Sequence, residues 1–554
     1  MSARALVRLV AMMLVAGACT VSSSEVVGEG TDLDVTAALA SHSSLQGLVE
    51  FTTTARTRPI ITVLDGDGNG FEVTSPELGP GEHTVPIIGL LPETEYTIEV
   101  GEHGLAGSDI LTTGSLPDDL PPIDLIVSEP DRMSPGLTLF DAIPLPGETS
   151  EATADGYLLA VDAEGRVVWY YRQTHSIQDV RRTGDGNLLF IHHETGARLL
   201  DPADNTMVEW SGTAGLETAS KDEFGRLYAG PEAIPVDTEQ MHHEVIELPN
   251  GNLMTLSREI RTVEGYPDPL CDDNEDFDGS YEVVADTVVE FVPETGEVVR
   301  EWSLFDLADP LADLDRIRPS EFCSAYLSPV YPDLPARDWT HANAVVFDAA
   351  RNAVLVSVRH LDQVFAIRYA DDESGPAGEL LWRFGENGDF TLEDGEWFLH
   401  QHSPHVLDDG SIMIYDNGNE RPGTSLDDPD RLPYSRAVRY ELDVESLTAR
   451  QVWQHRLDTP GKAVYAPFVG DADLLSGNTV LITHGGQLDP PAHTPQQEGV
   501  TAWGQVVEVD YDSGEVIFDL RIKDPDLEDS WIIYRAERIG SLMPAGFSVA
   551  PVEG

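Results

Sequence analysis

Tyr157-Leu-Leu-Ala-Val-Asp-Ala-Glu-Gly-Arg-Val-Val-Trp169 is an apolar strand, a polar turn carrying Gly165, and a second strand that ends on an aromatic ring. The pattern returns at Val288–Trp302, Val364–Trp382, Val438–Trp453 and Val506–Phe518, with a worn copy at Arg198–Trp210. A hairpin repeated every few tens of residues marks an architecture built by radial repetition, in which each unit buries its apolar faces against its neighbours. Six copies predict a six-bladed β-propeller over residues 137–554. Few segments carry a helical period, so an α/β fold fits poorly and the chain reads as all-β.

Working outward, short β-rich runs lie upstream at Gly47–Thr53, Ile60–Leu64, His83–Ile88 and Tyr96–Val100. They predict a small immunoglobulin-like β-sandwich over residues 45–115, followed by a Pro- and Asp-rich linker over 116–136. The turn Asp65-Gly-Asp-Gly-Asn-Gly70 imitates the start of a calcium loop, but Pro76 stands where the bidentate Glu would be, so a hairpin turn is the reading.

At the N-terminus Arg4 and Arg8 precede an apolar run, Leu9–Val15, then Ala16-Gly-Ala18 and Cys19. This is the pattern of a secretory signal over residues 1–18, too short to remain as a membrane span. Small residues directly before a cysteine resemble a bacterial lipobox, which predicts lipidation of Cys19 and an acidic tether over 19–44. The chain is therefore expected in the periplasm or on the outer membrane, held to lipid only by that anchor. Cys271 and Cys323 are then candidates for a disulfide in an oxidising compartment.

Basic residues number 33 against 98 acidic ones, a formal net charge of −65. Such a surface repels phosphate backbones and excludes nucleic acid as a partner. It names no substrate. The acidic residues are expected on loops and outer strands, where they keep the chain soluble.

A second hairpin lies between successive copies of the first, and its symmetry carries the chemistry. Folding His243–Arg258 about Asn250-Gly251 sets His243 opposite Arg258; the same construction about Asp409-Gly410 opposes His402 with Asn417. A longer turn at Ala350 opposes His341 with Arg359, and two further hairpins pair Gln178 with His193 and Val469 with His484. Equivalent ends of successive blades converge on the central channel, so these groups are expected at one mouth. Any one of these histidines alone reads as a structural hydrogen-bonding residue. Together, His, Arg and Asn suit a compact anion such as sulfate or phosphate, and a neutral imidazole can act as a nucleophile toward it. Two other readings remain open: a non-catalytic propeller that binds an anion or a protein, and a metal-dependent hydrolase or lyase built on the same histidines. Arg beside the histidines weighs against a dication, and no metal or other cofactor is expected.

Taken in order, Asp338-Trp-Thr-His341-Ala-Asn343, Ser357-Val-Arg359-His360, Gln401-His402, Tyr415-Asp-Asn417-Gly418 and Tyr534-Arg-Ala-Glu-Arg538 resemble the bacterial periplasmic arylsulfate sulfotransferases, which use no nucleotide sulfate donor. His83-Thr-Val-Pro-Ile-Ile-Gly-Leu-Leu-Pro-Glu-Thr-Glu-Tyr96 is similar to that family's N-terminal domain. The resemblance implies ping-pong transfer of a sulfuryl group between phenolic compounds through a sulfated His402. It implies that His341, Asn343 and Arg359 hold the sulfuryl group, that His243 belongs to the same site, and that phenols and aryl sulfates are the partners. The proton for the departing phenolate is assigned to His341 or His243, without a choice between them. The two later cysteines depart from the closely spaced pair of some members, and the family's hydroxyl residue of the sixth blade finds only Tyr465-Ala-Pro-Phe468 in its place.

Overall fold

A computed structural model describes residues 33–102, 104–145, 155–174, 176–216, 228–266, 280–312, 336–428, 430–459, 462–495 and 497–552. Cys19, Cys271 and Cys323, with the lipidation and disulfide expectations that rest on them, lie outside the described residues.

Each copy of the opening motif forms the third and fourth strands of one antiparallel sheet. In the second sheet, for example, strands run Ile177–Arg182, Leu188–His192, Gly196–Leu200 and Met207–Ser211 from the inside out. The innermost strands of the six sheets are Ile177–Arg182, His242–Glu247, Ala342–Asp348, His402–Val406, Asp471–Leu475 and Ala536–Ile539. They touch in that order, and the last touches the first, so six sheets stand around one axis as a propeller. Both faces of each blade are apolar because both are covered. Leu256, Val288, Val345 and Phe365 fill one inter-blade layer; Leu355, Phe384, Ile414 and Tyr440 fill the next.

Two strands close the ring in ways the sequence reading did not anticipate. Within the segment read as a linker, Ile123–Ser128 pairs with Val516–Ile522 and becomes the outer strand of the last blade. Covering that edge removes a row of unpaired backbone groups. The first blade takes its innermost strand from the far end of the chain: Ala536–Ile539 pairs with Leu137–Leu145. The final strand, Ser548–Pro551, leaves the propeller altogether and pairs with Gly70–Thr74.

That last pairing belongs to the N-terminal unit. There Gly47–Thr53 lies between Val35–Leu39 and Gly81–Ile87, while Ile60–Asp65 lies between Gly70–Thr74 and Glu95–Glu102. Val49, Phe51, Ile61, Val63, Ile98 and Val100 fill the core between the two sheets. The calcium-like turn is a hairpin: Asp65 accepts the amides of Asp67 and Asn69 at 2.9 and 2.8 Å.

A histidine-lined candidate active site at the channel mouth

The inner strands share a local distortion where they enter the channel. Asp179, His243, His341, Ser403 and Val469 all have left-handed backbones, with φ of 54, 62, 45, 48 and 51°. The ladder slips at four of these places, between Gln178 and Arg181, His242 and Val245, Ala342 and Ala344, and His402 and His405. Bulges re-aim side chains, and left-handed non-glycine residues persist only where the surroundings hold them. Here they re-aim polar groups on four blades, Asp179, His243, His341 and Ser403, with Val469 at the matching position on a fifth.

His402 is the best-defined of these groups. Its Nδ1 lies 2.7 Å from Asn417 Oδ1. The Asn417 amide is oriented by its other end, where Nδ2 donates to the carbonyls of Ala466 and Val469, each at 2.8 Å. An amide oxygen only accepts, so the proton sits on Nδ1 and the Nε2 lone pair is left free. Burial, with Arg359 and His341 close by, holds the ring well below the usual imidazole pKa, against a smaller opposing pull from Asn417. His402 is a neutral imidazole with a defined tautomer.

His243 reaches a complementary state. Its Nδ1 stands 2.7 Å from Nδ1 of His242, whose Nε2 donates to Ser257 O at 3.0 Å and lies 3.2 Å from Asp286 Oδ1. Burial opposes charge on His242, but Asp286 outweighs it and raises that pKa. His242, whose charged form Asp286 favours, donates to His243, whose own pKa burial and the surrounding His242, His341, His402 and Arg359 push far down. His243 thus stays neutral and presents Nε2–H as a donor.

His341 is wired differently. Its Nδ1 donates to Asp338 Oδ2 at 2.5 Å, its ring stacks on His360 at 4.7 Å, and its edge meets His243 at 5.3 Å between centroids. Its side chain is 34% exposed, against 4% for that of His242. A carboxylate-oriented imidazole within reach of solvent is the usual arrangement for moving protons. The remaining pieces lie beside it. Arg359 follows His341 across the strand pair and anchors Nη2 on Pro467 O at 3.1 Å. Asn343 is buried, with Nδ2 on Gln401 O at 2.8 Å and no hydrogen bond to its Oδ1.

The sequence marked Tyr534–Arg538 only as a point of resemblance and gave these residues no role, yet they form the floor of this site. Tyr534 sits against both His243 and His402, at 6.2 and 6.5 Å, and its hydroxyl donates to Asn343 O. It comes this close because Gly485 has no side chain: a Cβ there would fall 1.7 Å from Ile533 O. Next to it Arg535 donates to Asp179 Oδ1 at 2.5 Å, Glu244 Oε1 at 2.9 Å and Ser403 Oγ at 2.7 Å. Asp141 accepts the amides of Tyr534 and Arg535. The expectation that carboxylates would be peripheral is therefore corrected: Asp141, Asp179, Glu244 and Asp471 are all buried beneath the histidines. Burial and Asp179 push Glu244 up to about 8, against the pull of Arg181. For two of them the signal was an acid one residue after the mouth-facing position, Gln178-Asp179 and His243-Glu244.

Three expected placements are also corrected. Arg258 does not oppose His243, because the bulge breaks the fold-back symmetry; it faces Asp286 across the strand pair and donates to Glu239 at 3.2 Å. His193 stacks on Tyr228 at 4.7 Å. His484 lies buried against Tyr415, whose hydroxyl is 2.8 Å from its Nδ1. The Tyr465–Phe468 segment contributes main-chain carbonyls, those of Ala466 and Pro467, as described above. Among the described residues, two clusters have ligand atoms close enough for a metal ion: Asp338 with His341 and His360, and His405 with Asp471 and Asp473.

A propeller whose channel mouth gathers imidazoles, an amide and a guanidinium offers the donors that suit a compact anion. The chain belongs to the arylsulfotransferase (ASST) family, which matches residues 124–535. It is 24% identical over 319 residues to the arylsulfate sulfotransferase AssT of Escherichia coli O6:H1 strain CFT073, covering 50% of each chain. It is 22% identical over 428 residues to AssT of Lelliottia amnigena, covering 69% of this chain and 65% of that one. The chain thus spans between half and two thirds of the curated relatives it matches. Among solved structures, the periplasmic gluconolactonase PpgL of Pseudomonas aeruginosa shares 11% identity at a TM-score of 0.33, covering 75% of this chain and 99% of that one.

Proposed function

We propose that the protein is an aryl-sulfate sulfotransferase that moves a sulfuryl group from a phenolic sulfate ester to a phenol through a sulfated His402. The observation that carries this reading is the Asn417 contact, which leaves a neutral Nε2 on His402 with Arg359 close by. In the first half-reaction the Nε2 lone pair forms a bond to sulfur while the sulfur–aryl-oxygen bond breaks. His341, held at Nδ1 by Asp338, acts as the general acid and gives an Nε2 proton to the departing phenolate. Arg359 and the Nε2–H of His243 donate to sulfuryl oxygens as charge develops on them. In the second half-reaction neutral His341 takes the proton of an acceptor phenol, its oxygen bonds to sulfur, and the sulfur–nitrogen bond breaks.

The aryl portions have room nearby. A cavity of about 580 Å³, lined in part by Arg421, Pro422, Pro433, Tyr465, Pro491 and His493, shares the Tyr465 wall whose next two carbonyls anchor Asn417 and Arg359. Pro422, Pro433, Pro491 and Tyr465 offer ring faces to a phenol, among polar neighbours that include Glu420, Thr424 and Asp427. The basic, apolar leader and Cys19 support placing this chemistry outside the cytoplasm on a lipid anchor.

Incubation with an aryl sulfate donor, without acceptor, tests the reading. The expected product is one added SO3 on His402, found by peptide mass spectrometry at neutral to alkaline pH and absent from His402→Ala. Phenol release that His402→Ala leaves unchanged would overturn it, and activity lost to a chelator and restored by a divalent ion would transfer the site to the metal reading.

A further inference from the structure

Further along the inner strand that carries His402, His405 turns toward the neighbouring blade. Its Nε2 lies 2.8 Å from Asp471 Oδ1 and 3.2 Å from Asp473 Oδ1. The ligand-type atoms of the three residues lie within 4.8 Å of one another. Asp471 is 1% exposed, and its other oxygen takes no hydrogen bond; Arg535 Nε stands 3.5 Å from it. The cluster is reachable, since Asp473 also lines a cavity of about 400 Å³ together with Arg182, Glu537 and Arg538.

Asp471 stands between the two sides of this cluster, with His405 on one oxygen and Arg535 on the other.

We propose that His405, Asp471 and Asp473 form a divalent-cation site that joins the innermost strands of the fifth and sixth blades. One imidazole nitrogen with two carboxylate oxygens is a mixed donor set suited to Zn²⁺ or Mn²⁺, with water completing the shell. Binding displaces the proton from His405 Nε2 and holds Asp471 in place, and with it the Arg535 contact beneath Tyr534. The site is structural and stands independently of the sulfuryl-transfer reading.

The test uses the full chain, stripped with dipicolinate and then titrated with Zn²⁺ in a calorimeter. One Zn²⁺ per chain is expected, with a raised Tm. His405→Gln and Asp473→Asn should each weaken binding by at least about tenfold, a loss of 1.4 kcal/mol. His360→Ala, which alters the other cluster, should leave it unchanged. Because the variants carry a folding risk, crystals of the unaltered protein soaked in Zn²⁺ provide a second readout, with an anomalous peak expected between His405 and Asp473. No binding, binding that both variants retain, or a peak only at Asp338, His341 and His360 would overturn the proposal.

Discussion

Nδ1 of His402 is bonded to Oδ1 of Asn417 at 2.7 Å, and that single contact decides which nitrogen of the ring can react. Asn417→Leu removes the acceptor and lets the proton move to Nε2. The rate of His402 sulfation should fall at least about a hundredfold, as it does when a catalytic imidazole loses the partner that sets its tautomer. Asn417→Asp instead places a carboxylate at Nδ1, which favours the charged ring and should move the acidic limb of the pH–rate profile upward. Stopped-flow phenol release with each variant checks both, and a profile unmoved in Asn417→Asp would count against this contact.

The pH dependence of the first half-reaction follows from burial. His402 is held well below the ordinary imidazole value of 6.5, so it stays neutral and nucleophilic as pH falls through that value. Adduct formation should persist below pH 6.5 and decline only at lower pH. A burst amplitude that titrates away near 6.5 would show that His402 is not shielded as the structure has it.

Much of this fold could be read from hairpins alone, because the third and fourth strands of each blade are the regular ones. Tyr157–Trp169 and Val506–Phe518 obey simple strand alternation and were placed correctly. The inner strands do not, because each bulges where it meets the channel, and a bulge leaves no mark on composition. Fold-back symmetry paired His341 with Arg359 correctly and brought Asn417 to His402, whose strand partner is Tyr415. It failed for Arg258, His193 and His484, where slipped register or a neighbouring blade claims the side chain. The buried carboxylates were hidden in a different way: in a chain of net charge −65, four more acids attract no notice.

Arg535 beneath the site makes that hidden charge testable. It pairs at once with Asp179 and Glu244, all three essentially without solvent. Arg535→Met leaves Asp179 and Glu244 to share Arg181 alone and should cost about 3 kcal/mol by urea denaturation. Adding Glu244→Gln should recover part of that loss. A single variant within about 0.5 kcal/mol of the parent, the range of an ordinary surface substitution, would show that the pair is not a supporting contact.

Glu537 predicts how stability varies with pH. Burial pushes its carboxyl up to about 7, from an ordinary value of 4.5. Between those values the folded chain keeps a proton that the unfolded chain has released, so this contribution is full at low pH and is lost as pH rises toward 7. Glu537→Gln removes the dependence. The stability difference between pH 5 and pH 8, measured with chelator present, should shrink by roughly 1–3 kcal/mol. An unchanged difference would mean that Glu537 titrates normally.

Asp338 separates the two candidate proton donors. His243 is neutral and buried, whereas His341 is carboxylate-bound and partly exposed, so only His341 can readily exchange a proton with water between half-reactions. Asp338→Asn keeps the shape but withdraws the charge that supports the imidazolium. A phenolate that leaves easily needs little help from an acid, and a basic one needs much. The variant should therefore lose little rate with nitrophenyl sulfate and about 10²–10⁴-fold with alkylphenyl sulfates, steepening the dependence on leaving-group pKa. Equal losses across the series would assign Asp338 to holding structure alone. A steeper slope produced by His243→Gln instead would transfer the acid role to His243.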